Sequence, residues 1–124
     1  MKDIRFSGRS LEALRSFPAV AKREAGYQLD RVQHGLEPTD WKPMPSIGPG
    51  VREIRIMHEG QFRVIYIAKL ADAVYVLHAF QKKTQKTRKQ DIDTAKQALK
   101  QLLENSGQFY KRDAARDLLD ELSK

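Results

Sequence analysis

Three strand-like segments lie between residues 51 and 80 with very little chain between them, and that spacing constrains the fold more than any other feature. Val51 to Met57, Gln61 to Lys69 and Val74 to Phe80 are rich in β-branched and aromatic residues. The turns His58-Glu59-Gly60 and Leu70-Ala71-Asp72 are too short for a crossover helix, so the three segments must form an antiparallel meander. Alternation along each strand then sorts the faces. Ile54 and Ile56 share one face of the first strand, with Arg52 at its outer end, while Val51, Glu53, Arg55 and Met57 point the other way. In the second strand Phe62, Val64, Tyr66 and Ala68 share a face, opposite Gln61, Arg63, Ile65 and Ile67. A two-residue loop would place Arg63 beside Ile56 in the apolar layer. A three-residue loop instead pairs Arg55 with Arg63 and aligns Ile54, Ile56, Phe62, Val64 and Tyr66 as one core face, with Gly60 suiting a left-handed loop position. Because a one-residue slip inverts every side chain, the second register is expected.

The third strand reads both ways, since Tyr75, Leu77 and Ala79 suit a core as well as Val74 and Val76 do. If the former set turns inward, His78, Phe80 and Lys82 join the two arginines on the opposite face.

Ahead of the meander, Ile4-Arg5-Phe6 reads as a short strand ended by Ser7-Gly8. Leu11, Leu14 and Phe17 recur at helical spacing, with Ser10 or Ser7 as N-cap. Pro18 opens a second helix reaching about His34, with the stripe Ala21, Ala25, Leu29 and Val32 and a stop at Gly35. Prolines and glycines crowd 36–50, which reads as an irregular connection pinned by Trp41 and Met44. After the meander, Asp91 or Asp93 caps a helix carrying Ile92, Ala95, Leu99 and Leu102, ended at Asn105-Ser106-Gly107. Residues 109–124 read as a peripheral helical appendage. The expected architecture is α+β: an N-terminal strand and helical hairpin packed on a small antiparallel sheet, with C-terminal helices, in one domain over 1–124. The helices cover the apolar face and leave a concave surface carrying Arg55 and Arg63.

Lysine and arginine outnumber the acids 23 to 16, a net charge of +7, which points to a polyanionic partner and first to nucleic acid. Cysteine is absent, which excludes disulfide and thiolate chemistry. No membrane-length apolar run, signal-like start or basic helix with a broad apolar face is evident, so a cytoplasmic protein with no membrane partner is expected.

From Lys82 to Gln90 the sequence carries Lys82, Lys83, Lys86, Arg88 and Lys89 with no acid. Such a run holds consecutive phosphates, or is simply a solvated strand end. Phe80 and His78 can stack on bases, and Arg52 extends the cationic set. Cutting RNA through its own 2′-hydroxyl needs proton transfer and stabilisation of a crowded phosphorane. Arg55, Arg63 and Lys82 or Lys83 can supply the charge. His78, with His58 second, suits the proton transfer, unless it is a structural histidine. With three histidines and none at ligand spacing, no metal site is expected. Phosphate-loop, nucleophile-elbow and dinucleotide motifs are missing too, so no cofactor is expected.

Val51-Arg52-Glu53-Ile54-Arg55-Ile56, Gln61-Phe62-Arg63-Val64-Ile65-Tyr66 and Tyr75 through Thr87, in this element order, resemble the RelE/ParE toxin superfamily, most closely its HigB-like, phage-derived branch. The resemblance covers about residues 1–104. It implies a RelE-like fold and the toxin of a type II toxin–antitoxin system: an endoribonuclease that cleaves mRNA on the ribosome and inhibits translation. The implied partners are an adjacently encoded helix-turn-helix antitoxin, the ribosome and mRNA, with operator DNA reached only through the antitoxin. Arg63, Arg55, Lys82 or Lys83 carry over as site residues, and His78 follows the branch pattern. The sequence departs from the RelE archetype in lacking a tyrosine among Thr87, Arg88, Lys89, Gln90 and Asp91. Two other readings remain: a ParE-like gyrase poison, and a non-catalytic nucleic-acid-binding module.

Overall fold

In the computed structural model, which describes residues 1–104, the chain runs β1 (Asp3–Phe6), α1 (Ser10–Arg15), α2 (Ala19–Gln33), β2 (Trp41–Pro43), β3 (Val51–Met57), β4 (Gln61–Ile67), β5 (Ala73–Lys82) and α3 (Lys89–Glu104). The readings for Asn105-Ser106-Gly107 and for residues 109–124 lie outside the described residues. The five strands form one sheet in the order β1-β5-β4-β3-β2.

The meander has the expected register, with Ile54 opposite Val64, Arg55 opposite Arg63 and Ile56 opposite Phe62. The hairpin achieves it differently in detail. Glu59 takes the left-handed conformation at φ +49°, and Gly60 lies at φ +145°, a region that a side chain strongly disfavours. The sheet is mixed, which corrects the expectation of an antiparallel one: β1 runs parallel to β5, with Ile4 beside Val74 and Phe6 beside Val76. The connection between them contains the helical hairpin, and that is long enough to allow parallel pairing. A fifth strand also forms in the segment read as irregular, where Trp41 pairs with Ile54 and the Arg52 guanidinium stacks 4.0 Å from the Trp41 ring centroid.

Helices α1 and α2 cover one face. Leu14, Phe17, Ala21, Ala25, Leu29 and Val32 bury against Ile54, Ile56, Phe62, Val64 and Tyr66, as the periodicities require. Phe17 meets Phe62 with ring centroids 4.8 Å apart. Neither Ser7 nor Ser10 caps α1; the buried Ser10 hydroxyl instead donates to the Val76 carbonyl at 3.2 Å. Gly35 ends α2 at φ +81°, its N–H bonding to Val32 O while Leu36 N–H reaches back to Arg31 O, the pairing of a Schellman cap.

The opposite face is not left open along its length. Helix α3 lays Ala95, Leu99 and Leu103 over Ile65, Ile67, Tyr75 and Leu77, and Met44, Ile47 and Leu70 close the edge of this second core. Strand β5 resolves its double reading by a bulge. Ile65 pairs with His78 and Tyr66 with Val76, so Leu77 is the extra residue. Val74, Val76 and Ala79 thus face the hairpin helices, whereas Tyr75, Leu77 and Phe80 join the core under α3.

Candidate functional site

Beyond the N-terminal end of α3 the second face carries charge instead of apolar side chains. One row across the sheet is Arg55, Arg63 and Phe80; the next is Lys42, Glu53, Ile65 and His78. Lys82 stands opposite Gln61 at the end of the same face.

Arg63 is buried, with its side chain 5% exposed. Its Nη1 donates to the Phe62 carbonyl at 3.0 Å and its Nη2 to Gln61 Oε1 at 2.8 Å. Its Nε faces Glu53 Oε1 at 3.4 Å, but neither of those two atoms completes a hydrogen bond among the described residues. Burial lowers the Arg63 pKa, Glu53 works against that shift, and Arg55 adds to it. Arg55 is held on the outer side, where its Nε and Nη2 both reach Asp40 Oδ1, at 3.0 and 2.9 Å.

Glu53 is the residue whose role sequence reasoning missed. Its side chain has no exposure, Lys42 Nζ lies 3.9 Å from Oε1, and the Thr87 hydroxyl donates to Oε2 at 3.2 Å. Thr87 belongs to the basic run, so this bond ties that run to the sheet. A signal was present: Glu53 alternates on the Arg55 face of a strand otherwise bound for the interior.

His78 Nε2 lies 2.9 Å from Asp91 Oδ1, and the ring stacks on Phe80 with centroids 5.0 Å apart and planes 20° from parallel. The other Asp91 oxygen faces Arg88 Nε at 3.5 Å. Asp91 and Asp93, the two residues expected as alternative caps, both lie inside the helix, which begins at Lys89, and Asp91 meets His78 on the sheet instead. Lys82 is half-buried, and desolvation, followed by the nearby Arg63, lowers its pKa. Lys83, Lys86, Arg88 and Lys89 are exposed along the following loop and helix start, where Thr84 Oγ1 donates to the Lys86 carbonyl at 2.6 Å.

The structure therefore brings Arg55, Arg63, His78, Phe80 and Lys82 onto one face. It does not bring Arg52 there. Arg52 lies on the hairpin-helix side, stacked on Trp41 and 3.6 Å from Glu37. His58 stays in the β3–β4 turn and joins none of these pairs among the described residues.

A five-stranded mixed sheet between two helical layers, with its basic run leaving the central antiparallel strands, defines an α+β protein that agrees at the coarse level with the RelE-like fold. The chain belongs to the family described as phage derived protein Gp49-like (DUF891), whose model matches residues 12–100; this is a RelE/HigB-like, toxin-related family. A search of curated proteins finds no match. Among the described residues no helix is long and apolar enough to cross a membrane.

Proposed function

We propose that the chain is the toxin of a type II toxin–antitoxin pair and cleaves mRNA on the ribosome with its own side chains. The observation that carries this reading is the His78–Asp91 pair at 2.9 Å, stacked on Phe80 and placed beside a cross-strand set of cations. Asp91 accepts from the Nε2 proton and so fixes the tautomer in which Nδ1 is the basic nitrogen. Nδ1 has no hydrogen-bond partner among the described residues.

In this reading Nδ1 takes the proton of an RNA 2′-hydroxyl, and the oxygen attacks the adjacent phosphorus. The negative phosphorane forms beside Arg55 and Lys82, whose charges oppose its build-up. Lys82, with its lowered pKa, is the cation best suited to give a proton to the departing 5′-oxygen. The products are a 2′,3′-cyclic phosphate and a 5′-hydroxyl. Lys83, Lys86, Arg88 and Lys89 hold the phosphates on either side. Arg63, buried against Glu53, acts through the field and shape of the sheet and not by direct grip. The family relation supports a toxin, and the net charge of +7 suits both RNA and an antitoxin that lays an acidic element across the same face. In this reading that antitoxin is an adjacently encoded helix-turn-helix protein, and operator DNA is reached only through it.

Inducing the chain in bacteria beside a His78→Gln version, while mapping new 5′ ends on a reporter transcript, tests the proposal. Growth arrest with cuts confined to translated regions, both lost in the variant, is the expected result. Arrest without cuts would favour the gyrase reading, and no arrest from folded protein would retire the toxin.

A further inference from the structure

Next to His78 the surface sinks into a groove of about 960 Å³ between the Ser7–Ser10 loop and helix α3. It continues into a smaller hollow of about 350 Å³ toward Phe6 and Leu102, and the two share Ser7, Gly8, Ala98 and Gln101. Gln90, Thr94, Gln97 and Gln101 line the α3 wall. Their spacing places them on one face of the helix, one turn apart, over roughly 16 Å. The three glutamines are exposed, and their carboxamides make no side-chain hydrogen bond among the described residues. The floor is apolar where Leu77 and Ala98 meet it.

We propose that this groove holds the single-stranded RNA nucleotides flanking the cleaved phosphate, with their bases lying on Leu77 and Ala98 and their edges read by Gln90, Gln97 and Gln101. The inference rests on the nuclease reading and adds a base-reading subsite to it. A carboxamide presents a donor and an acceptor in one plane, which is how a base edge presents them. An amphipathic protein helix would ask for apolar knobs on both walls, whereas this wall is amide and hydroxyl, with the Asp93 carboxylate among them and Arg9 on the facing loop. The groove opens at His78, and Lys89 stands at the same end, so an RNA strand can pass from the basic run into it without leaving the surface. Its length suits roughly two or three unstacked nucleotides.

The test uses the purified full chain and fluorescein-labelled homopolymeric oligoribonucleotides of each base, with affinity read by anisotropy at fixed salt. Two variants are compared: Ala98→Trp, which fills the groove, and the double change Gln97→Ala, Gln101→Ala, which alters exposed side chains only. Thermal melts establish that each is folded, and the glutamine variant decides the matter if the tryptophan variant fails to fold. The glutamine variant is expected to bind about tenfold more weakly and to change the rank order of the four bases. Unchanged affinity and unchanged rank order in folded variants would overturn the proposal. Altered oligonucleotide binding from a chain that cuts nothing in cells would sink the nuclease reading and leave the groove standing. Cleavage in cells whose site preference ignores both variants would do the reverse.

Discussion

Glu53 Oε1 lies 3.4 Å from Arg63 Nε, with the two side chains 0% and 5% exposed, so the most deeply placed cation of the candidate site is also half of an interior ion pair. A substitution at Arg63 therefore strikes stability and function together. Loss of activity in an Arg63→Ala protein says little about chemistry until folding has been measured.

Removing Glu53 leaves Arg63 buried without its carboxylate, and removing Arg63 leaves Glu53 only the more distant, partly exposed Lys42 at 3.9 Å. Glu53→Met and Arg63→Leu should each lose about 3–5 kcal/mol in urea unfolding. The double replacement Glu53→Met, Arg63→Leu should lose much less than the two single losses combined, because no unpaired charge remains. Additive losses would show that the pair is not coupled.

Asp91 and His78 should behave as one unit. His78→Gln is expected to slow mRNA cleavage about a hundred- to ten-thousandfold, the usual worth of a positioned proton-transfer group. Asp91→Asn, equal in size, should slow it as well by disturbing the tautomer and orientation of the ring, and should not weaken ribosome binding, since it also frees Arg88 from its 3.5 Å carboxylate contact. Cleavage assays beside ribosome co-sedimentation separate the two effects.

Lys82 gives a pH dependence whose sign follows from its lowered pKa. The unfolded chain holds that proton to higher pH than the folded one does. Stability therefore gains from this residue as pH rises through the lowered folded pKa toward the ordinary lysine range. RNA affinity falls over the same window, because the cation is being lost. Lys82→Met should flatten both trends, as read from melting temperature and oligonucleotide affinity against pH.

Salt should weaken RNA binding steeply. If Lys82, Lys83, Lys86, Arg88 and Lys89 each neutralise a phosphate, the slope of log affinity against log salt is about −3.5, and each alanine replacement should reduce its size by about 0.7. A slope near zero would remove the basic run from the interface.

Leu99 is buried in the layer beneath α3. Leu99→Ala should cost about 2–5 kcal/mol, and it should depress cleavage beyond what the unfolded fraction explains, because α3 holds Asp91 against His78. Activity corrected for the folded fraction checks this.

The meander, its register and the hairpin-helix core were legible in the sequence because alternation and loop length are local quantities. Arg55 beside Arg63 followed from counting three loop residues. The parallel placement of β1 was not legible, since nothing near Ile4 says which distant strand it will join. The bulge at Leu77 escaped for a related reason: period-two alternation has no term for an extra residue. The same bulge explains why His78 and Leu77 both face α3 although they are neighbours in sequence. Of the candidate site, the residue types were readable, whereas the face of Phe80 and Lys82 was one of two alternatives, tied to an inward set of Tyr75, Leu77 and Ala79 that the bulge splits between the two cores. The pairings of the acids that hold the site were not readable: alternation marks the face of Glu53, but which cation Glu53, Asp40 or Asp91 meets across a long separation leaves no pattern along the chain.

Strand β1 is made first, yet β5, its only partner in the sheet among the described residues, follows it by most of their length, with Asp3 opposite Ala73 and Phe6 opposite Val76. Chains emerge from synthesis N-terminus first, so β1 waits unpaired while the hairpin helices and three further strands appear. Asp91 emerges later still, after the basic run. A ribosome partway through this message thus carries first a segment in which β1 has no neighbour, and later one in which His78 is present without its carboxylate. The order of residues delays assembly of the His78–Asp91 pair until nearly all of the described chain has been released.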